Sequence, residues 1–186
     1  MLDWEISRDG NRAGPFLAPH LPSLGVTLTS LGSGFPRDAP RNKIVYRYDA
    51  KKPLRDFDVM GFFWVISERA KRLLEPFAVG AIDLVPTDIF VRRDGVDELV
   101  GQNWLCDVVR FEDAVDEAAS KLDWWPNHPQ YDGMSKLVFK RDLPPELHLF
   151  RLWKSPTTIL CSEPLRQAIK AAKLTGVRLK NVEPPH

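Results

Sequence analysis

Histidines, cysteines and paired carboxylates are the side chains best able to make and break bonds, and this chain spaces them so that few could act together. The four histidines, His20, His128, His148 and His186, stand far apart, with no second His or Cys at the interval a zinc site uses. No metal or other cofactor is expected. The two cysteines sit in apolar runs, WLCDVV around Cys106 and TTILCS around Cys161, beside Asp107 and Ser162. A reactive thiol needs a cationic neighbour, so both are read as buried and reduced. Gly32, Ser33 and Gly34 look like a scrap of phosphate loop, but no Lys-Ser or Lys-Thr follows and no helical pattern begins there. A dinucleotide fingerprint, a nucleophile elbow and a paired-histidine zinc helix are also missing from the sequence. No catalytic residue is assigned, and the chain is read as a binding protein.

His128 has the most suggestive surroundings. It lies with Trp124, Trp125 and Tyr131 in DWWPNHPQYDGM, Asp123 to Met134, a loop by its Pro, Asn and Gly content. Four readings stand open. One tryptophan could plug the core while the other packs on the loop's prolines. The pair could anchor a partner protein, since Trp and Tyr dominate interface hot spots, or stack on carbohydrate. A small hydrolase could use His128, or His148, with an acid such as Asp123 or Asp132. His148 sits in the alternating run ELHLFRLW, which sets it with Phe150 and Leu152 against Leu147, Leu149, Arg151 and Trp153. That is the pattern of a core or half-buried histidine.

These residues need elements to hold them. Leu2 to Ile6 and Ile44 to Tyr48 read as strands, separated by a Gly-, Pro- and Ser-rich stretch from Gly10 to Pro40 that predicts a largely irregular arm. Lys52-Pro53 to Met60 reads as a connector. Phe62 to Ile66 is a continuous apolar strand. Ser67 then caps a helix with Glu68 in its first turn, Ala70, Leu73, Leu74 and Phe77 form the stripe, and Pro76 ends it before a strand at Ala81 to Val85. The same order returns 95 residues later: strand Thr157 to Cys161, cap Ser162-Glu163, stripe Leu165, Ala168, Ile169 and Ala172, stop Thr175-Gly176, strand Val177 to Leu179. Between them Trp104 to Phe111 reads as a strand. Ala114, Val115, Ala118, Ala119 and Leu122 read as the stripe of a short helix whose wet side carries Asp113, Asp116 and Glu117. Lys136 to Lys140 and Leu147 to Trp153 read as strands. The expected class is α+β, a single domain with two similar strand–helix–strand units, with residues 1–60 as an extension on a core of residues 61–186.

Composition fits that class. With 186 residues, 44% hydrophobic and 27% charged, the chain should bury roughly 70% of its unfolded surface without disulfides or a metal. A net charge of +1 argues against a general nucleic-acid binder. The distribution is uneven: residues 81–123 hold eleven acidic against four basic side chains, net −7, and residues 134–186 hold ten basic against four acidic, net +6. Either the two stretches attract each other or stay solvated, or the acidic one greets a basic partner and speeds encounter. The start MLDWEISRDG is too acidic for a signal peptide, and no apolar run nears the roughly 20 residues of a membrane helix, so the cytoplasm is expected and no membrane partner.

Over residues 62–180 the chain resembles a family. Ile66-Ser67-Glu68, Asp116 with Ser120, Phe150-Arg151, Ser162-Glu163 and Thr175-Gly176-Val177-Arg178 stand in the order and spacing of the myxobacterial-type immunity proteins of bacterial polymorphic toxin systems, formerly a domain of unknown function. The resemblance implies a non-enzymatic immunity protein that binds and neutralises a cognate toxin, itself basic if the acidic stretch greets it. Asp113, Asp116, Glu117, Trp124, Trp125, His128 and Tyr131 are the contact candidates. The alternatives are the His/Asp hydrolase near Trp124–Tyr131 and a self-associating scaffold pairing through its opposite charges.

Overall fold

Two Ser-Glu sequences start the two helices, each by supplying an oxygen to a backbone N–H that the first helical turn cannot pair. In the computed structural model, which describes residues 2–8, 31–35, 42–46, 54–60 and 63–182, Ser67 accepts from the N–H of Ala70 (3.1 Å) ahead of α1 (Glu68–Leu74). Ser162 accepts from Leu165 N–H (3.4 Å) ahead of α2 (Glu163–Ala171), whose Pro164 fits a first-turn position that needs no N–H. The C-terminus of α2 is tied as well: Arg69, in the first turn of α1, donates to the carbonyls of Ala172 (2.8 Å) and Lys173 (3.0 Å).

Among the described residues the strands are β1 (Leu2–Arg8), β2 (Asn42–Tyr46), β3 (Phe57–Met60), β4 (Phe63–Ile66), β5 (Ile82–Arg93), β6 (Val96–Val108), β7 (Phe111–Glu112), β8 (Lys121–Trp124), β9 (Tyr131–Lys136), β10 (Leu149–Leu152), β11 (Ser155–Ser162) and β12 (Val177–Asn181). They form a sheet in the order β12-β1-β11-β10-β7, a second in the order β2-β5-β6-β4-β3, and the hairpin β8-β9. The class is mixed α+β, with strands dominant. Helix α1 joins β4 to β5 with β6 lying antiparallel between them, and α2 joins β11 to β12 with β1 antiparallel between them. The expected strands at 62–66, 81–85, 157–161 and 177–179 are present with shifted ends. His20, His186, Tyr48, Lys52, Pro53, Phe62 and most of the stretch from Gly10 to Pro40 lie outside the described residues.

The sheets share one apolar core. Trp64, Ile66, Cys106 and Val108 from the second sheet meet Leu149, Ile159 and Cys161 from the first, with Ala70, Leu74, Leu165 and Ile169 from the helices. The other face of the first sheet, Phe150, Leu152 and Leu160, packs with Ala114, Val115, Tyr131, Leu137 and Leu147 beneath the hairpin. Alternation along β10 sends successive residues to opposite clusters. Both cysteines are free and buried; burial, and then the neighbouring Asp107, pushes the Cys106 thiol far up from its ordinary value.

Three expectations are corrected. Residues 57–60 are a strand, because Phe57 and Val59 alternate into the core. The helix expected over Ala114 to Leu122 does not form: Ala118 and Ala119 are exposed, so the stripe has nothing to cover. The segment is instead a turn in which Asp116 accepts from Ala119 N–H (3.1 Å), while the Ser120 hydroxyl takes the place of a strand partner for Val138, accepting from its N–H (2.9 Å) and donating to its C=O (3.3 Å). The loop expected over Asp123 to Met134 is mostly the β8-β9 hairpin, pairing Leu122 with Met134, Asp123 with Gly133 and Trp124 with Tyr131. Its half-buried Leu122 and Met134 pack on the lower cluster.

Candidate functional site

The hairpin is held to the body by its base and leaves its tip in solvent. Tyr131 is buried at 6% exposure, its N–H donates to Lys154 C=O (2.8 Å) in the turn between β10 and β11, and its hydroxyl donates to Glu117 (2.8 Å). Lys154 donates to the same Glu117 carboxylate (2.5 Å), and its ammonium lies 5.0 Å from the centre of the Trp124 ring. Trp124 meets Tyr131 edge-on at 5.0 Å between ring centres. Lys154 first, then the Tyr131 hydroxyl, hold Glu117 below its usual value. Burial, and then the Glu117 carboxylate, push Tyr131 well above its own.

Around this knot the tryptophans are open. Trp124 is 43% exposed and Trp125 54%, with Trp125 fixed through its backbone to Gln130 (3.1 Å). Trp153, expected to follow Arg151 onto one face of a strand, falls in the turn beyond β10 instead and is 63% exposed. Its ring meets Phe111 edge-on at 6.0 Å. Lys154, the next residue in that turn, accepts from Tyr131 N–H through its backbone carbonyl and sets its ammonium over the Trp124 ring. Sequence reading missed Trp153. The signal available was the Trp-Lys-Ser-Pro run, which a buried strand does not tolerate.

Of the remaining candidates, Asp113 is exposed and pairs with Lys140 (2.8 Å). Asp116 is half-buried in its turn. His128 is exposed at the hairpin tip, where its N–H donates to Trp125 C=O (3.2 Å). Among the described residues its ring is not hydrogen-bonded to Asp123 or Asp132. His148 sits 2.8 Å from Ser162 through Nδ1 and meets Phe77 edge-on. Ser162 is 4% exposed and caps α2, so that pair is a structural contact within the core.

Charge is disposed differently from what an acidic face would require. Three ion pairs run directly between the acidic stretch 81–123 and the basic stretch 134–186: Asp107–Arg151 (3.1 Å), Asp113–Lys140 (2.8 Å) and Glu117–Lys154 (2.5 Å). Within the acidic stretch Glu112 pairs with Arg110 (2.7 Å) and Glu98 with Arg93 (3.4 Å). Asp83 and Asp107 are cross-strand partners on β5 and β6, a like-charge pair that costs stability unless it is compensated. Asp83 accepts from Phe35 N–H (2.6 Å), and Asp107 from Gly34 N–H (3.1 Å) and Arg151. The Gly-Ser-Gly run thus offers its amides to the protein's own carboxylates. Burial still pushes Asp107 up from its ordinary value, against the pull of Arg151.

A model of the Immunity protein family (Imm11) matches residues 3–184. A search of curated proteins finds no match.

Proposed function

The chain belongs to the Immunity protein family (Imm11), and from that premise we propose that it neutralises a cognate toxin of a polymorphic toxin system by stoichiometric protein–protein occlusion in the cytoplasm. The observation that carries the choice of surface is the pair of indoles Trp124 and Trp125, exposed on a hairpin whose base is locked by Tyr131, Glu117 and Lys154. A rigid aromatic anchor loses little conformational freedom on binding, which favours affinity. In this reading Trp124, Trp125 and His128 touch the toxin, Asp113, Asp116 and Glu117 form the polar rim, and Tyr131 sets the hairpin from beneath. Residues 1–60 and 61–186 act as one packed domain, and the two strand–helix–strand units frame the sheets that carry the surface. Binding, without bond chemistry, is the whole activity, and a standard interface would cover roughly 800 Å² on each partner.

Co-expression tests it. The protein should rescue cells from the toxin encoded beside its gene, and the Trp124→Ala/Trp125→Ala double variant should not. Full rescue by a folded double variant would remove the hairpin from the contact surface.

A further inference from the structure

We propose that the open edge of β6 over residues 96–102 takes an extended segment of the toxin as an added strand, and that this segment carries basic as well as apolar side chains. The inference rests on the immunity reading above and names a second contact with the same partner.

The edge arises where the chain leaves the second sheet. Strands β5 and β6 pair from Ile82 with Val108 to Arg93 with Val96, whereas β4 covers β6 only at Trp104, Leu105 and Cys106. At Ser67 the chain turns out of the sheet to cap α1, which vacates the row beside residues 96–102. Among the described residues no strand fills that row. In an antiparallel ribbon every other residue turns its N–H and C=O away from its partner. Another extended backbone is what matches such a row.

Side chains along the same stretch are apolar and open to water. Val96 is 68% exposed, Leu99 58% and Val100 36%, with Val100 the extra residue of a bulge between the pairs Ile89–Gly101 and Phe90–Leu99. Leu54, 40% exposed, borders the row: its Cδ1 lies 4.0 Å from where a Cβ on Gly101 would stand. Exposed apolar side chains on an unpaired strand mark a pairing site.

Charge selects the occupant. Residues 88–102 hold Asp88, Asp94, Asp97 and Glu98 against Arg92 and Arg93, net −2. The Arg93–Glu98 pair, at 3.4 Å, has both side chains about half exposed, so it holds Glu98 weakly. Asp94 is exposed in the turn at the tip of the ribbon. A second copy of this chain would bring the same carboxylate excess against itself along one ladder, which is destabilising. A toxin segment bearing apolar and Lys or Arg side chains covers Val96 and Leu99 and neutralises that excess.

The test uses the full chain and a catalytically inactivated form of the toxin domain encoded beside its gene. Amide hydrogen exchange is compared with and without the toxin. Within residues 96–102 the outward N–H groups should exchange about tenfold or more slowly in the complex. Leu99→Lys should lose about tenfold or more in affinity, because an edge lysine blocks strand addition and repels a basic segment. Leu99→Glu removes the same apolar group with the opposite charge and should bind about tenfold more tightly than Leu99→Lys. Leu99 is exposed, and far-UV circular dichroism checks that each variant is folded. A complex in which residues 96–102 exchange as in the free protein overturns the proposal and leaves toxin binding intact. So does a Leu99→Lys variant that binds as tightly as the parent or as Leu99→Glu. A free protein that sediments as a dimer with these amides already protected would give the edge to a second copy and overturn it too. If no complex forms with the toxin, the immunity reading fails and this proposal with it.

Discussion

At the scale of single residues, the positions on which the resemblance was based serve as scaffolding. Ser67 and Ser162 cap helices, Ser120 stands in for a strand partner, Thr175 exchanges hydrogen bonds with Asp56, and Phe150 fills the lower cluster. Arg151 is the most consequential. At 1% exposure it crosses from β10 to the second sheet, donating to Val108 C=O (2.7 Å), Pro156 C=O (2.8 Å) and Asp107. Removing one member of a buried pair strands the other charge, so Arg151→Leu should cost about 3–5 kcal/mol in urea unfolding. A loss below about 1 kcal/mol would show that Asp107 is satisfied without it. Cys106 and Cys161 lie in the same core, and their thiols should react with an alkylating reagent only as fast as the protein opens. Immediate labelling of the folded protein would refute that placement. Local signals of this kind, a serine before a helix or a cysteine in an apolar run, are legible in sequence. The Arg151–Asp107 pair is not, because its partners are 44 positions apart and nothing local distinguishes either one.

Elements were legible where one face is buried against a clear partner. Both helices announce themselves by cap and stripe, β4 by a continuous apolar run and β11 by the strand run Thr157 to Cys161. The helix expected over Ala114 to Leu122 fails because alanines satisfy a helical spacing without requiring burial, whereas Asp116 and Ser120 offer the backbone better bonds elsewhere. The hairpin was hidden because its register slips at Lys121/Leu122 and Asp123/Trp124, which breaks strict alternation. Its attachment depends on pH. Lys154 and Tyr131 hold the Glu117 carboxyl below its usual value, so their stabilisation is complete above the ordinary carboxylate range and is lost as pH falls through the lowered value. Tyr131→Phe and Lys154→Met should each raise the Glu117 titration midpoint, followed by carboxyl carbon NMR, so that the hairpin loosens at higher pH than in the parent. A midpoint unmoved in both variants would mean that the knot at the hairpin base does not exist in solution.

For the molecule as a whole, the Trp124–Tyr131 segment stood out in the sequence and its geometry did not: folding alone makes it a hairpin tied to Lys154 and pairs the acidic stretch with the basic one. The same long-range joining bears on how the protein unfolds. Strand β1 lies between β11 and β12, so that without it neither neighbour pairs with the other. The second sheet is tied to the α2–β12 turn by Asp56, which accepts from Thr175 N–H (2.9 Å), and by Phe57 N–H donating to Thr175 C=O (2.9 Å). Gly176 completes that joint with φ +83°, and a Cβ there would stand 2.0 Å from Phe57 O. Gly176→Ala should therefore destabilise both sheets together, by more than about 1 kcal/mol, since strain and collision act at once. Deleting residues 1–8 should do more, removing the strand between β11 and β12 and leaving β12 without a partner in the first sheet. In the parent, tryptophan fluorescence and far-UV circular dichroism should report one coincident transition, as a single cooperative core requires. Two separated transitions, or a chain lacking residues 1–8 that melts like the parent, would mean that the first sheet stands without its N-terminal strand and that the extension is dispensable to the fold.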